Sequence, residues 1–423
     1  MTAVIIGAGI SGFGAAKFLR KKGRNVRLSE RSVLSPEEQA KYALIGAEVR
    51  HGGHEPEHLD GATLVVPSPG LPADHVLLTE ARRRGLPVVS EIDLALQEYK
   101  GTVFGITGTN GKSTTVGMID HGLRRLGFST APAGNFGDPP TLMLAEDRMP
   151  ANLVLELSSY QLEQSASVHA DCAMITSFSN DHLARHGTEK DYFLAKWKLV
   201  TARKAGAPVI LSPDVAGQAR SFGIPVPDST HIVTETDFPA ALKHLEGSHN
   251  IRNAAFAALS IHLLRGVTLA DAAAAVADYA GLPHRCQLVG TFGGRKIWND
   301  SKSTNVESTL VALGSMISPV VLMMGGIGKG EPYAPILMEK DRIALVLTFG
   351  PTGPEIARAL APAVTVKNFP TLASLFQAFG GIMEEYGQHI LFSPGCASFD
   401  EFRNFAHRGD YFSQTVTNLL TGK

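Results

Sequence analysis

Cysteine is scarce: Cys172, Cys286 and Cys396 are the only three in 423 residues, and none sits in a CxxC or ligand-spaced pattern. This argues against a disulfide framework or a zinc cluster and fits a reducing compartment. Long hydrophobic runs are missing as well. No apolar stretch approaches the roughly 18 residues of a membrane span, and Ala3 to Ile6 is too short, with no basic leader, for a secretory core, so a cytoplasmic protein without membrane partners is expected. Net charge almost vanishes, with 39 Lys+Arg against 40 Asp+Glu. Nothing in bulk therefore draws the chain to nucleic acid, and any phosphate has to be gripped locally. Solenoid repeats and low-complexity tracts are also lacking, which leaves domain boundaries to be read from restarts of an α/β pattern. The length suggests roughly two to four domains.

Glycine, by contrast, is plentiful, and its placement carries the reading. In Gly105-Ile-Thr-Gly-Thr-Asn-Gly-Lys-Ser-Thr-Thr115 a glycine-rich loop follows the apolar strand Val103 to Ile106. Val116, Ile119, Leu123 and Leu126 then recur at the spacing of one buried helical face. The loop thus ends at a helix N-terminus, where free N–H groups and the helix dipole meet an anion. Lys112 can reach outer phosphates, and a hydroxyl of Ser113 or Thr114 can ligate magnesium. The pattern is irregular: the earlier glycine of a standard phosphate loop falls on Ile106, with Gly105 and Gly108 instead.

Around this loop the α/β alternation continues. Val4 to Ile6 reads as a strand, Gly7-Ala-Gly-Ile-Ser-Gly12 as a turn into a helix reaching Arg20, and Val26 to Leu28 as the next strand. Glu30, about 20 residues on, is placed for a ribose 2′-OH, as in a dinucleotide-binding turn. The pattern alone leaves open NAD(P) or FAD, another nucleotide, or a purely structural turn. Leu64 to Val66 runs into the rigid loop Pro67-Ser68-Pro69-Gly70, and Val88-Val89 reads as another short strand. The pattern restarts after Glu98 to Gly101. Leu153 to Leu155 ends in Glu156, a carboxylate placed for magnesium beside the phosphate loop. The strand Ala173 to Thr176 leads to Asn180-Asp181-His182 and a helix carrying Lys196. His249-Asn-Ile-Arg-Asn253 opens an alanine-rich helix from Ala254 to Leu264, where Asn250 and Asn253 can either hold an adenine edge or cap the helix. Gly281-Leu-Pro-His-Arg285 marks a second boundary. Beyond it, strands are expected near Lys296–Trp298, Val320–Met323, Ala344–Thr348 and Ile390–Phe392, with a closing helix from about Phe399 to Leu420. Polar clusters at 299–305, 325–329 and 393–398 lie at strand ends, as a binding face requires.

In order and spacing these motifs resemble the Mur ligases, the ATP-dependent amino-acid ligases of bacterial peptidoglycan synthesis. The resemblance rests on Gly108 to Thr114, Leu155-Glu-Leu-Ser-Ser-Tyr-Gln-Leu-Glu163, Asp181-His182, His249-Asn250 with Asn253, Gly281 to Arg285, Asn299-Asp-Ser-Lys-Ser-Thr-Asn305 and Ser393 to Gly409. Ala397-Ser-Phe-Asp, Asn404-Phe405 and His407-Arg-Gly409 point to the glutamate-adding member.

The resemblance implies an α/β protein of three domains. A Rossmann-like UDP-binding domain would span 1–97, a P-loop ATPase domain 98–281, and a Rossmann-like amino-acid-binding domain 282–423. Ile10, Ser11, Gly12, Glu30, Arg31, Ser32, Ser68, Gly70, Asn135 and Ser158 would then face the UDP substrate, which reassigns the first glycine turn from a redox cofactor. Gly108, Thr109, Asn110, Gly111, Lys112, Ser113, Thr114, Asn250, Asn253, Arg285 and Asp300 would meet ATP. Lys302, Thr304, Lys329, Ser398 and Phe405 correspond to the amino-acid pocket, where cations and hydroxyls suit two carboxylates. Lys112, His182 and Lys196 would be catalytic. Two magnesium ions are implied, with Ser113 and Glu156 at one, and His182 and a carbamylated Lys196 at the other. The implied substrates are UDP-N-acetylmuramoyl-L-alanine, ATP and glutamate, handled by a monomer. D-Glutamate is expected, with the L-isomer as the alternative because Gly395 and Ser303 stand where alanine is common. An NAD(P) oxidoreductase and a non-ligating nucleotide-binding scaffold are the remaining alternatives.

Overall fold

A computed structural model describes residues 1–179, 181–245, 247–316 and 318–421, so Asn180 lies outside the described residues. Sixteen strands form three sheets. The first contains β1 (Thr2–Ile6), β2 (Asn25–Glu30), β3 (Glu48–His51) and β4 (Ala62–Pro67), in the order β3-β2-β1-β4. The second contains β5 (Thr102–Thr107), β6 (Thr130–Gly134), β7 (Asn152–Glu156), β8 (Cys172–Ile175), β9 (Val209–Leu211) and β10 (Thr230–Ile232), in the order β10-β9-β8-β5-β7-β6. Both are wholly parallel, and their central strands are continuous apolar runs because helices cover both faces.

The third sheet contains β11 (Gln287–Phe292), β12 (Arg295–Asn299), β13 (Val320–Gly325), β14 (Ile343–Phe349), β15 (Val366–Phe369) and β16 (His389–Phe392). Its order is β11-β12-β16-β13-β14-β15, and only the edge strand β11 runs antiparallel. Ile297, Val321, Leu345, Ile390 and Phe392 fill its core. By compactness the chain forms two units: Met1–Lys243 with Ser248–Tyr279, which holds the first two sheets, and His244–Gly247 with Ala280–Lys423, which holds the third. Among the described residues no helix is long and apolar enough to cross a membrane.

Within the first unit the two sheets are joined by close packing. Gly14, on the helix Ile10–Lys21, faces the helix Pro140–Ala145 so closely that a Cβ would stand 2.9 Å from Thr141 Oγ1. Across the same seam Glu91, buried, accepts hydrogen bonds from Thr141 N at 2.8 Å and Thr141 Oγ1 at 2.5 Å.

Three sequence expectations need correction. Val88-Val89 makes a single bridge to Val65 instead of a strand, because Ser90 at once caps the helix Glu91–Leu96. The closing helix runs Phe405–Thr421, later than expected, because Asn404 Oδ1 accepts from His407 N at 2.8 Å and fixes the start there. Finally, the helix Ser248–Arg265 begins before Asn250, so Asn250 and Asn253 lie inside it and the capping alternative falls.

Candidate active site

The phosphate loop leaves β5 at the carboxyl edge of the second sheet and enters the helix Lys112–Arg125. Two of its residues have to be glycine. Gly108 has φ +147°, and a Cβ there would lie 2.2 Å from Thr176 Oγ1. Gly111, the N-cap, has φ +85°, and its Cβ would meet Asn253 Oδ1 at 2.6 Å. No side chain caps this helix, so its first N–H groups are left for a ligand. The loop is fastened from behind, with Thr176 Oγ1 donating to Asn110 O at 2.6 Å and Thr109 N to Ser177 O at 3.0 Å. Lys112 folds over it, Nζ reaching Gly108 O at 2.9 Å and Thr109 O at 2.7 Å. Val116, Ile119 and Leu123 are buried beneath, as their spacing predicts, while Leu126 is half-buried at the end of the helix.

Neighbouring β7 pairs with β5 so that Glu156 lies opposite Ile106, bringing the strand-end carboxylate beside the loop. Glu156 is 1% exposed; its Oε1 accepts from Asn135 Nδ2 at 2.7 Å, and its Oε2 has no hydrogen-bond partner among the described residues. A buried carboxylate with an orphaned oxygen is suited to a cation. Among the described residues no three His, Cys, Asp or Glu side chains cluster as metal ligands, so any metal here would need hydroxyl or modified ligands as well.

His182 is the left-handed N-cap (φ +53°) of the single-turn helix Leu183–His186. Its Nδ1 is 3.2 Å from Tyr160 OH and its Nε2 is 3.3 Å from Asp181 Oδ2. Burial lowers its pKa, and Lys196 and Lys112 push the same way against Asp181. Lys196, 2% exposed on the helix Glu189–Thr201, donates to Gly108 O at 2.8 Å. Burial, and then Lys112, hold its amine well below the ordinary lysine range, against the pull of Asp181 and Glu156.

A cleft of about 430 Å³ brings many of the expected residues together. Ile10, Ser11, Gly70, Asn135 and Ser158 line it with Lys112, His182 and Lys196. Gly12 serves the turn instead: a Cβ there would stand 2.1 Å from Gly7 O. Glu30 is engaged at both oxygens, by Ala8 N at 2.7 Å and Ser32 N at 2.9 Å, so its carboxylate braces the glycine turn. Arg31 and Ser32 are exposed beyond it, and Ser68 packs under Gly7.

In the second unit the three polar clusters follow β12, β16 and β13, neighbours in the sheet. Asp300 is the hub. Its Oδ2 accepts from Ser303 Oγ and, at 2.8 Å, from Ser393 Oγ; its Oδ1 accepts from Cys286 N at 3.1 Å. Burial pushes its carboxyl up to about 6 against those bonds. Lys302 Nζ lies 4.1 Å over the Phe405 ring, and Lys329 Nζ is 3.4 Å from Thr304 Oγ1. Ser398 is buried, and Arg285 is half-buried just before Cys286. Sequence reasoning quoted Arg408 without giving it a role. It is fully buried and donates to Ser301 Oγ, Ser301 O and Cys396 O at 2.9–3.0 Å, tying together the loops after β12 and β16. Tyr192 was missed as well. It is four residues before Lys196 on one helical face, and that spacing was its signal.

The family profile "Mur ligase MurD-like, N-terminal domain" matches residues 1–90, and "Mur ligase middle domain" matches 106–234. The UDP-N-acetylmuramoylalanine--D-glutamate ligase of Nitratidesulfovibrio vulgaris (strain DP4) is 34% identical over 99% of this chain and 96% of its own length. The chain belongs to the Mur ligase family. The Gloeobacter violaceus protein of the same name is 36% identical, over 99% of both chains. In fold this Mur ligase is similar to UDP-N-acetylmuramate-alanine ligase MurC from Thermotoga maritima, with TM-score 0.57 and 17% identity over the whole of both chains. The three-domain α/β architecture expected of the family is the one found.

Proposed function

We propose that this Mur ligase joins D-glutamate to UDP-N-acetylmuramoyl-L-alanine at the expense of ATP, releasing ADP and phosphate. The observation that carries this reading is the single cleft in which Ile10, Ser11, Gly70, Asn135 and Ser158 meet Lys112, His182 and Lys196. The full-length relatives named as D-glutamate ligases support the choice of amino acid.

The chemistry follows from the poor reactivity of a carboxylate toward amines. The alanyl carboxylate oxygen attacks the γ-phosphorus, the bond to the β-phosphate oxygen breaks, and ADP leaves an acyl phosphate. The glutamate amine then adds to the acyl carbon; the tetrahedral intermediate collapses to the amide, expelling phosphate, while the nitrogen gives up its proton. Charge on the transferring phosphoryl group is met by the uncapped helix N-terminus and by Lys112, whose ammonium exchanges loop carbonyls for phosphate oxygens. Gly108 to Thr114 cradle the phosphates, with Asn250 and Asn253 behind the loop on the adenine side. In the second unit Arg285 and Asp300 are assigned to the nucleotide, and Lys302, Thr304, Lys329, Ser398 and Phe405 to the amino acid.

Magnesium fits the orphaned oxygen of Glu156. Ser113 and Glu156 would hold one ion, and His182 with Lys196 as its carbamate a second; bound there, magnesium neutralises phosphoryl charge. A bare ammonium at Lys196 would repel a cation, whereas a carbamate supplies an anionic oxygen. The neutral amine favoured by burial is the form that reacts with carbon dioxide. Failure of short carboxylic acids to restore Lys196→Ala, with an unmodified amine in a high-resolution map, would discard the carbamate.

A cytoplasmic monomer is the expected state. ADP release with UDP-N-acetylmuramoyl-L-alanine, magnesium and a panel including D- and L-glutamate tests the reading; no glutamate-dependent turnover would sink it. The ratio of D to L rates fixes stereochemistry. An NAD(P) oxidoreductase or a binding-only scaffold gives no role to Glu156 and Lys196 beside the phosphate loop.

A further inference from the structure

We propose that Arg185 and Gln164 are positioning residues that lock the Ser68–Leu71 loop to the His182 turn, so that docking of the nucleotide sugar and alignment of the acyl-transfer groups are set together; this rests on the ligase reading above. The sequence Pro67-Ser-Pro-Gly-Leu-Pro72 has three residues that cannot donate a backbone hydrogen bond, so its carbonyls depend on outside donors. Two side chains supply them. Gln164 Nε2 reaches the carbonyls of Ser68, Pro69 and Leu71 at 3.2, 3.4 and 3.2 Å. Arg185 Nη1 reaches Gly70 O at 3.2 Å and Nη2 reaches Leu71 O at 2.6 Å. Four successive carbonyls are thereby turned to one side, while Gly70 lines the cleft.

The same guanidinium fixes His182. A four-residue helix has no stability of its own, and His182 caps it in a strained left-handed conformation, so the turn has to be held from outside. Arg185 Nε binds Glu163 Oε2 at 3.0 Å, and its Cζ sits 4.9 Å from the centre of the Tyr160 ring. The hydroxyl of Tyr160 meets His182 Nδ1, and His186 Nε2 adds a bond to Ser159 Oγ at 3.0 Å. One planar fork therefore spans Glu163, Gly70 and Leu71, a geometry that a lysine cannot reproduce. Its loss would loosen the loop and the histidine at once.

The test compares wild type with Arg185→Lys, Arg185→Gln and Gln164→Ala, using calorimetric titration with UDP and with ADP, steady-state ligation kinetics and melting curves. For both Arg185 variants, UDP affinity is expected to fall at least about tenfold, the loss of roughly one charged hydrogen bond. KM for the muramoyl substrate should rise and kcat should fall, while ADP affinity stays within about twofold. Gln164→Ala, which leaves the charge in place, should weaken UDP and spare ADP. An Arg185→Lys protein that binds UDP and turns over like wild type overturns the proposal. So does a fall in ADP affinity parallel to that for UDP, the mark of general unfolding, or a rise in KM with kcat intact, the mark of docking alone. If wild type binds UDP without glutamate-dependent turnover, the ligase reading fails while the UDP titrations still decide the lock; wild type that does not bind UDP overturns the lock as well.

Discussion

Replacing Glu156 by glutamine should reverse the order of stability between the metal-free and the metal-loaded enzyme. In wild type the carboxylate is 1% exposed, one oxygen is bonded to Asn135 and the other has no partner among the described residues. Holding a half-satisfied charge there is unfavourable. In Glu156→Gln the amide oxygen keeps the Asn135 bond and the charge is gone, so the metal-free variant should be more stable by about 1–2 kcal/mol, after allowing for an amide N–H₂ that itself lacks a partner. In a domain of this size that is roughly 2–8 °C in melting temperature. Magnesium and ADP at about a hundred times the dissociation constant should then stabilise wild type by about 2.7 kcal/mol, and the variant by little. The two melting curves should therefore cross. Differential scanning fluorimetry with and without magnesium and ADP reads this without any turnover, and ADP release should fall at least a hundredfold in parallel. Equal ligand-induced shifts in both proteins, or a metal-free variant that melts below wild type, would refute the reasoning.

Burial raises the Glu91 carboxyl to about 7, so the folded state holds a proton that the unfolded chain has lost above its ordinary value of 4.5. Stability contributed by this site is therefore fully present below pH 4.5 and is lost as pH rises to about 7. Glu91→Gln, whose amide oxygen can still accept from Thr141, should gain on wild type across that window by up to about 3 kcal/mol and level off above it, as denaturant titrations at several pH values will read; parallel curves would refute it. Gly111→Ala places a Cβ at φ +85° and against Asn253, which should lower stability by about 1–3 kcal/mol and weaken ADP at least tenfold by titration. Tyr160→Phe keeps the ring beside Arg185 and removes only the bond to His182, so kcat should fall several-fold with KM for the muramoyl substrate unchanged.

What was legible in the sequence was whatever repeats locally. The strands flanking Gly7 and Gly105 announce themselves as short apolar runs, and Glu156 and the clusters at 299–305 and 393–398 announce themselves as polar residues following such runs. The antiparallel edge β11 was missed because it is only partly buried along its length and lacks an apolar run. Contacts across long stretches of chain left no local trace. Gln164 meets Ser68 96 residues away and Arg185 meets Gly70 115 residues away. Neither residue differs in type from an ordinary solvated side chain. Glu30 was misjudged for a related reason: its spacing from the glycine turn fits a ribose contact, but the backbone N–H of Ala8 is nearer than any ligand.

The carbonyl of Gly108 joins the two lysines that the sequence could only place in order. Lys112 Nζ approaches it at 2.9 Å and Lys196 Nζ at 2.8 Å. Two ammonium groups on one acceptor repel each other, and the more buried of the two yields its charge more readily. Lys112 is half-buried and opens toward the cleft, where phosphate oxygens would compensate it; Lys196 is almost fully enclosed. The proton is therefore lost from Lys196. Addition of carbon dioxide to that neutral amine forms one N–C bond and releases one proton, leaving an N–H that can still donate to Gly108 O and two oxygens that carry negative charge. The repulsion is thereby turned into attraction without moving the helix Glu189–Thr201, and the like-charge pair becomes a reason for the modification.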